Sequence, residues 1–364
     1  MIGLAVVFAL AVLEFVNAWL AAPAHPTATS AGYFAWSDQS SYLREAQTLA
    51  AGHLPSAPSY VYGLGYPMVA VPAIWLGEIR DPFAPFDAAA YATTIVLIVM
   101  LGTRLRSFAM GVVCGALVTF ATPLLDLTVV PWSSTVTLLA VLAGLALAGH
   151  SPRLATRIAA IVGALIGWTF AARYVDAAFL ALMASGSIVR RARAMFVCIA
   201  VAGVLIATVL FTHAAILGSP LTTPYAAHVE SGGAGISDQD LRAYSLSAVP
   251  DRLFGIVTGV QGGKRQPGEP LGARSFWFIL APLGLWALFR DRHPLRSHFA
   301  LALAASIAST LFYLSFRASG AGMLQFGGLH YFKAWFPVWA LLSIYGIARL
   351  LDRMRAQPGA PSPA

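Results

Sequence analysis

Charge is what this chain has least of. Asp, Glu, Lys and Arg make up 10% of its 364 residues, while apolar residues make up 58%. A water-soluble domain carries roughly 25% charged residues, so an ordinary soluble fold is excluded. Cysteine is scarce too: Cys114 and Cys198 are the only two, and both fall in apolar runs. That argues against a disulfide framework and suggests no metal site. The apolar runs are continuous and not alternating, which argues against a transmembrane β-barrel. No G-x-G-x-x-G, Walker A, H-E-x-x-H or C-x-x-C motif occurs, and no fixed-period repeat. Gly262-Gly263-Lys264 has neither the spacing nor the strand–helix setting of a phosphate loop, so nothing supports ATP-driven chemistry.

What the chain does have is length in its apolar runs. Ten of them, near 2–22, 87–103, 109–125, 134–149, 155–172, 175–189, 195–216, 275–289, 298–316 and 334–348, approach the span of a bilayer, for which about 20 residues suffice. The expected fold class is all-α, a polytopic transmembrane helical bundle of about 10 spans in a single domain over 1–350. The net charge of +8 is distributed by topology. Arg104, Arg106, Arg153, Arg157, Arg190, Arg191, Arg193, Arg290, Arg292, Arg296, Arg349, Arg353 and Arg355 lie in alternate short turns and the tail, 13 of the 23 Lys+Arg, against only Asp291 and Asp352. The opposite side carries 12 of the 15 acids, Glu14 being within a span. This asymmetry places both termini in the cytoplasm and leaves no reason to invoke nucleic acid. Ala22-Pro23-Ala24 resembles a signal-cleavage site, but no basic segment precedes the first run, so a retained span is expected. Residues 351–364 read as a cytoplasmic tail, with Gln357–Ala364 expected to be disordered.

Two outer segments are long, about 23–86 and 217–273, and long loops facing one compartment are where binding and catalysis concentrate. In the first, Tyr42, Leu43, Ala46, Leu49 and Ala50 recur at helical spacing. Ser37 is placed to cap this helix, Asp38 suits its first turn and Gly52 its end. Tyr66-Pro67 opens a second apolar run to Leu76, too short to span and read as an interfacial or re-entrant helix.

This order of elements, a span, an outer acidic helix, an aromatic-Pro interfacial helix and then a bundle, resembles the GT-C superfamily of membrane glycosyltransferases. Further stretches are similar in order: Ala121-Thr122-Pro123-Leu124-Leu125, Gly167 to Arg173, Leu217-Gly218-Ser219-Pro220-Leu221-Thr222-Thr223, Leu253 to Gly284, and Leu329-His330-Tyr331-Phe332-Lys333. The resemblance implies transfer of a sugar from a polyprenyl-phosphate donor to an acceptor hydroxyl on a glycan, lipid or protein, at the extracytoplasmic face of a plasma membrane and with inversion. Polyprenyl chains would enter from the bilayer near the later spans.

On that resemblance Asp38 is the expected general base or acceptor binder; otherwise it merely favours a helix dipole. Relatives often show two adjacent acids here, where this chain has Asp38-Gln39. They often show another acid near the outer start of the fourth span, where this chain reads Pro131-Trp132-Ser133-Ser134. Asp126, Asp176 and Glu14 are the candidates for a second acid, or are solvated turn residues and, for Glu14, a structural hydrogen-bonding group inside a span. Lys333, Lys264, Arg265 and Arg173 are candidate donor-phosphate ligands, with Arg274 and Arg317 further outer cations. Lys264 and Lys333 are the only lysines; ordinary headgroup contact is their alternative role. His330, at helical spacing from Lys333, and Tyr66 are weaker site candidates. Trp36, Tyr60 and Tyr62 could stack on sugar or anchor the interface. No cofactor is implied, and a divalent metal is left open. A transporter or flippase of lipid-linked sugars, or a non-catalytic assembly subunit, is the alternative function. A transporter calls for broken helices near the midplane and internal symmetry, and neither is evident. The missing second acid suits a subunit.

Overall fold

The computed structural model describes residues 2–28, 31–77, 80–148, 155–188, 192–230, 244–261, 264–265, 270–316 and 329–355. The fold is all-α. In chain order the helices are α1 (Ile2–Ala21), α2 (Ser37–Ala50), α3 (Pro67–Trp75), α4 (Ala84–Leu105), α5 (Phe108–Phe120), α6 (Asp126–Val129), α7 (Ser134–Leu147), α8 (Ala155–Ala172), α9 (Tyr174–Ile188), α10 (Ala192–Leu217), α11 (Pro224–Glu230), α12 (Val249–Thr258), α13 (Leu271–Ser275), α14 (Ala281–Arg290), α15 (Arg296–Ser315) and α16 (Phe336–Arg355). Two-residue strands Val260–Gln261 and Lys264–Arg265 pair antiparallel.

Among the described residues, seven stretches are long and apolar enough to cross a membrane: α1, α4, α8, α10, Leu271–Arg290, α15 and Lys333–Arg355. This is consistent with a multi-pass membrane protein. Three further apolar helices, in α5, α7 and α9, are shorter. Each of the ten apolar runs in the sequence therefore contains a helix, but three of those helices fall short of a full span. The last helix also differs from expectation. It runs to Arg355, past the expected end near 348, and Arg349 and Asp352 on its added turns bind Asp291 and Arg106 at 2.5 and 2.7 Å. The remainder of the expected tail, from 356, lies outside the described residues.

Apolar burial holds the bundle together at α1–α4–α5, α4–α7, α8–α10, α9–α15 and α14–α16. Small residues let the helices approach. A Cβ at Gly284 would sit 1.8 Å from the Leu342 carbonyl oxygen, which brings α14 hard against α16. Overpacking of this kind costs about 1–3 kcal/mol where neighbours can give, and backbone cannot give easily. Gly284→Val is accordingly expected to lower the thermal midpoint of the purified protein by several degrees; an unchanged midpoint would contradict the close crossing.

The arginine-rich turns are knitted into the fold as well as charged. Arg104 donates from both terminal nitrogens to the carbonyls of Ala146 and Ala148, at 2.6 Å each, and so caps the C-terminus of α7. Asp87 lies near the other end of α4, about 25 Å away at 1.5 Å per residue. At that far end the segment between α1 and α4 folds against the bundle. Within it α2 begins at Ser37, so the cap position falls to Trp36 and not to Ser37, with no side-chain cap. Gly52 takes a left-handed φ of 78° and ends α2 as expected. Helices α2 and α3 pack on one another. Asp81 supplies an unforeseen cap: its Oδ1 accepts from the Phe83 and Ala84 amides at the start of α4, and its Oδ2 from the Trp19 indole.

Candidate functional site

A cavity of ≈ 360 Å³ opens where α2, the 61–63 segment, the α8–α9 corner and the 330–331 segment meet. Its walls are largely tyrosine: Tyr42, Tyr62, Tyr174, Tyr225, Tyr313 and Tyr331. Two charged side chains reach it, Asp38 from one wall and Arg173 from another. Asp38 is half-buried, and its Oδ1 accepts from the Tyr62 hydroxyl at 2.7 Å. Burial raises the Asp38 pKa above the usual carboxylate range; the Tyr62 hydrogen bond and the Arg173 charge pull it back only in part. A carboxylate with raised proton affinity beside a substrate-sized space is a stronger base than one in water.

Arg173 is held rigidly. Its Nε donates to Asp176 Oδ2 at 2.6 Å and its Nη2 to the Tyr313 hydroxyl at 2.8 Å. Tyr313 in turn donates to Asp176 Oδ1 at 2.5 Å, and the Thr137 hydroxyl to Asp176 Oδ2 at 2.7 Å. The guanidinium lies over the rings of Tyr313 and Tyr331, 5.4 and 5.1 Å from their centroids. Its Nη1 meets Ser133 Oγ only at 3.5 Å, at the limit of a hydrogen bond. The Tyr42 hydroxyl reaches the same Ser133 Oγ at 3.1 Å. The turn Pro131-Trp132-Ser133-Ser134 thus carries no acid of its own, but hydroxyls at the start of α7 hold the cavity's tyrosine and, through Thr137, an acid from α9.

The sequence candidates divide into two groups. Asp38, Arg173 and His330 line the cavity, and Asp176 lies beneath it on Arg173. His330 is buried, with its ring stacked on Trp132 at 3.9 Å and 7°. Tyr62 lines the cavity as a wall. The other described candidates lie outside it. Tyr66 is fully buried behind Tyr42, its hydroxyl on Asp87 Oδ2 at 2.7 Å. Lys333 is likewise fully buried, donating to the Leu127 carbonyl at 3.0 Å and to Thr135 Oγ1 at 2.8 Å. It therefore presents no cation to this cavity; the Leu127 carbonyl and the Thr135 hydroxyl supply the acceptors that a buried amine needs. Asp126 is exposed at the start of α6. Glu14 accepts from the Tyr91 hydroxyl at 3.1 Å within α1–α4. Arg265 is exposed on its strand. Arg274 ends α13, away from the cavity wall. The Lys264 side chain and Arg317 lie outside the described residues. Trp36 and Tyr60 are not cavity walls: Trp36 packs on Tyr33, and Tyr60 is buried against His213. Among the described residues no three His, Cys, Asp or Glu side chains cluster closely enough to hold a metal ion.

Sequence reasoning missed Tyr225, Tyr313 and Tyr331 as walls, and Glu45 as a partner of the site. Glu45 is fully buried on α2, two turns after Asp38, and its Oε1 accepts from the Val61 and Tyr62 amides at 2.8 and 3.1 Å. Its seven-residue spacing from Asp38, which puts both acids on one helix face, was the available signal.

A second space, of ≈ 420 Å³, lies between α12, α13, α14 and α15 and is almost wholly apolar, with Leu253, Ile256, Ile279, Ile307 and Leu311 among its walls. The two spaces share walls through consecutive residues. Tyr313 and Tyr331 face the first, and Leu314 and Phe332 the second. Comparison with protein-family models and with curated proteins finds no match to this chain.

Proposed function

We propose that this chain is an integral-membrane glycosyltransferase. It takes a sugar from a polyprenyl-phosphate donor to an acceptor hydroxyl, with inversion, on the extracytoplasmic side of a plasma membrane. The observation that carries the reading is the pairing of a proton-hungry carboxylate, Asp38, with a fixed cation, Arg173, across a tyrosine-lined cavity that backs onto an apolar groove. The groove suits a prenyl chain, and its place among the later helices agrees with donor access from the bilayer. The tyrosine walls suit a sugar ring, which aromatic faces bind well.

The acceptor oxygen attacks the anomeric carbon while Asp38 removes its proton. The carbon–oxygen bond to the phosphate breaks, and its electron pair leaves with the polyprenyl phosphate. That group is already a good leaving anion, so no strong acid is required. Arg173 faces the charge that develops on it and is positioned in advance by Asp176 and Tyr313, so little reorganisation accompanies the step. Of the described candidate cations, Arg173 lines this cavity and Lys333 does not, so Arg173 is the one given the phosphate. One displacement on one face inverts the configuration.

Ile307→Trp, which fills the groove, is expected to raise the donor KM several-fold with kcat kept, the pattern of lost uniform binding. Steady-state transfer with donors of increasing prenyl length checks this. Indifference of KM both to length and to the substitution would remove the groove from the reading.

The pH dependence follows from Asp38. The base must be ionised, so transfer rises with pH through its pKa. Because burial raises that pKa, the acidic limb of kcat/KM falls above the ordinary Asp value of 3.8. A limb at or below that value would show that another group is the base.

A further inference from the structure

We propose that Glu45 is a positioning residue, which grips the backbone at Tyr62 and thereby holds the Tyr62 hydroxyl on Asp38. The three groups close a loop along one face of α2. Asp38 and Glu45 are seven residues apart, about 10 Å along the helix. Tyr62 spans that interval: its amide donates to Glu45 Oε1 at 3.1 Å, and its hydroxyl to Asp38 Oδ1 at 2.7 Å. The neighbouring Val61 amide doubles the grip at 2.8 Å. The Tyr62 ring is wedged between Tyr42, 5.0 Å away, and Tyr225, 6.0 Å away and nearly parallel. Among the described residues, Glu45 is the side chain that binds the Tyr62 amide.

The second oxygen of Glu45, Oε2, is buried and has no hydrogen-bond partner among the described residues. An ionised carboxylate is poorly served there. Burial pushes the Glu45 pKa up to about 8, against the pull of the two amides and of Arg44. The other titratable groups acting on this carboxyl are Tyr60 and Tyr174, with His213 behind them on the Tyr174 hydroxyl. Burial and the unpartnered Oε2 both favour the neutral acid at Glu45. Its work is done by a carbonyl-type oxygen that accepts two amides, and a glutamine can do the same.

As a statement about catalysis this rests on the transferase reading; as a statement about Asp38 it does not. The test is infrared titration of carboxyl bands for the full chain in lipid nanodiscs, with Asp38→Asn identifying the Asp38 band. Loss of a hydrogen bond to a charged group raises a carboxyl pKa by about one to two units. The Asp38 titration is expected to move up by that amount in Glu45→Ala and in Tyr62→Phe, and to stay in place in Glu45→Gln. Glu45→Met, which fills the volume without an acceptor, stands in if the alanine variant does not fold. An Asp38 titration unmoved by Glu45→Ala or Glu45→Met, or moved equally by Glu45→Gln, overturns the inference. Transfer assays then separate the two claims. If wild-type protein consumes no donor, the transferase reading fails while the infrared result stands. If wild type transfers sugar and Asp38 ignores Glu45, only this inference fails.

Discussion

Asp38→Asn is expected to cut sugar transfer by about 10²–10⁴-fold, the usual worth of a positioned general acid or base, while leaving insertion and folding intact. The geometry explains why the two effects separate. An asparagine oxygen still accepts the Tyr62 hydroxyl, now bound by Asp38 at 2.7 Å, so the wall of the cavity survives. What is lost is the negative oxygen that takes the acceptor's proton. Wild-type Asp38 is moreover the strained partner in the fold, since burial disfavours its ionised form. Its folded pKa lies above its unfolded value, so ionisation with rising pH weakens the folded state. The asparagine variant is free of that cost and is expected to melt no lower than wild type near neutral pH. Transfer rate and thermal midpoint, measured on one preparation, check both halves. A transporter or an assembly subunit would keep its function in this variant.

Arg173→Ala is expected to have the larger effect on stability. Arg173 and Asp176 form a nearly buried pair, with side chains 11% and 5% exposed. Removing one member of such a pair leaves an uncompensated charge and costs about 3–5 kcal/mol, a large part of the roughly 5–15 kcal/mol that holds a typical domain together. Asp176 would retain Thr137 and Tyr313 as donors, which softens the loss without cancelling it. The expected result is a sharp fall in monodisperse yield and in thermal midpoint. The double variant Arg173→Met with Asp176→Leu separates structure from chemistry. Replacing both charges with apolar groups is often neutral or stabilising, so folding should recover while transfer does not. A stable, fully active Arg173→Ala protein would show that the pair neither supports the fold nor serves the donor.

Much of the fold could be read from apolar run length, because a bilayer-sized helix announces itself in composition. The ten expected runs and the two helices expected between the first two, Ser37–Ala50 and Pro67–Trp75, all correspond to helices, the ends differing by a few residues. The shortness of α5, α7 and α9 was harder to see, since apolar turns such as Ala121–Leu125 read like helix in a hydropathy pattern. The candidate site was legible where chemistry is local. Asp38 in a first helical turn and Arg173 at a helix corner stood out by position. Pairings across the chain did not. Tyr313 lies 137 residues from Asp176 and Lys333 lies 206 from Leu127, and one sequence offers no signal linking such residues. Lys333 shows the consequence. Its rarity was visible, but its burial away from the cavity was not; Arg173, another of the expected cations, does face the cavity, held by its ring and carboxylate partners.

The most direct measurement presents purified protein in lipid with a panel of polyprenyl-phosphate sugars and an acceptor mixture, and follows polyprenyl phosphate release together with the anomeric configuration of the product. The account expects one donor to be consumed, with inversion, by wild type and not by Asp38→Asn. Consumption of none by folded protein, transfer with retention, or equal turnover by Asp38→Asn would contradict it.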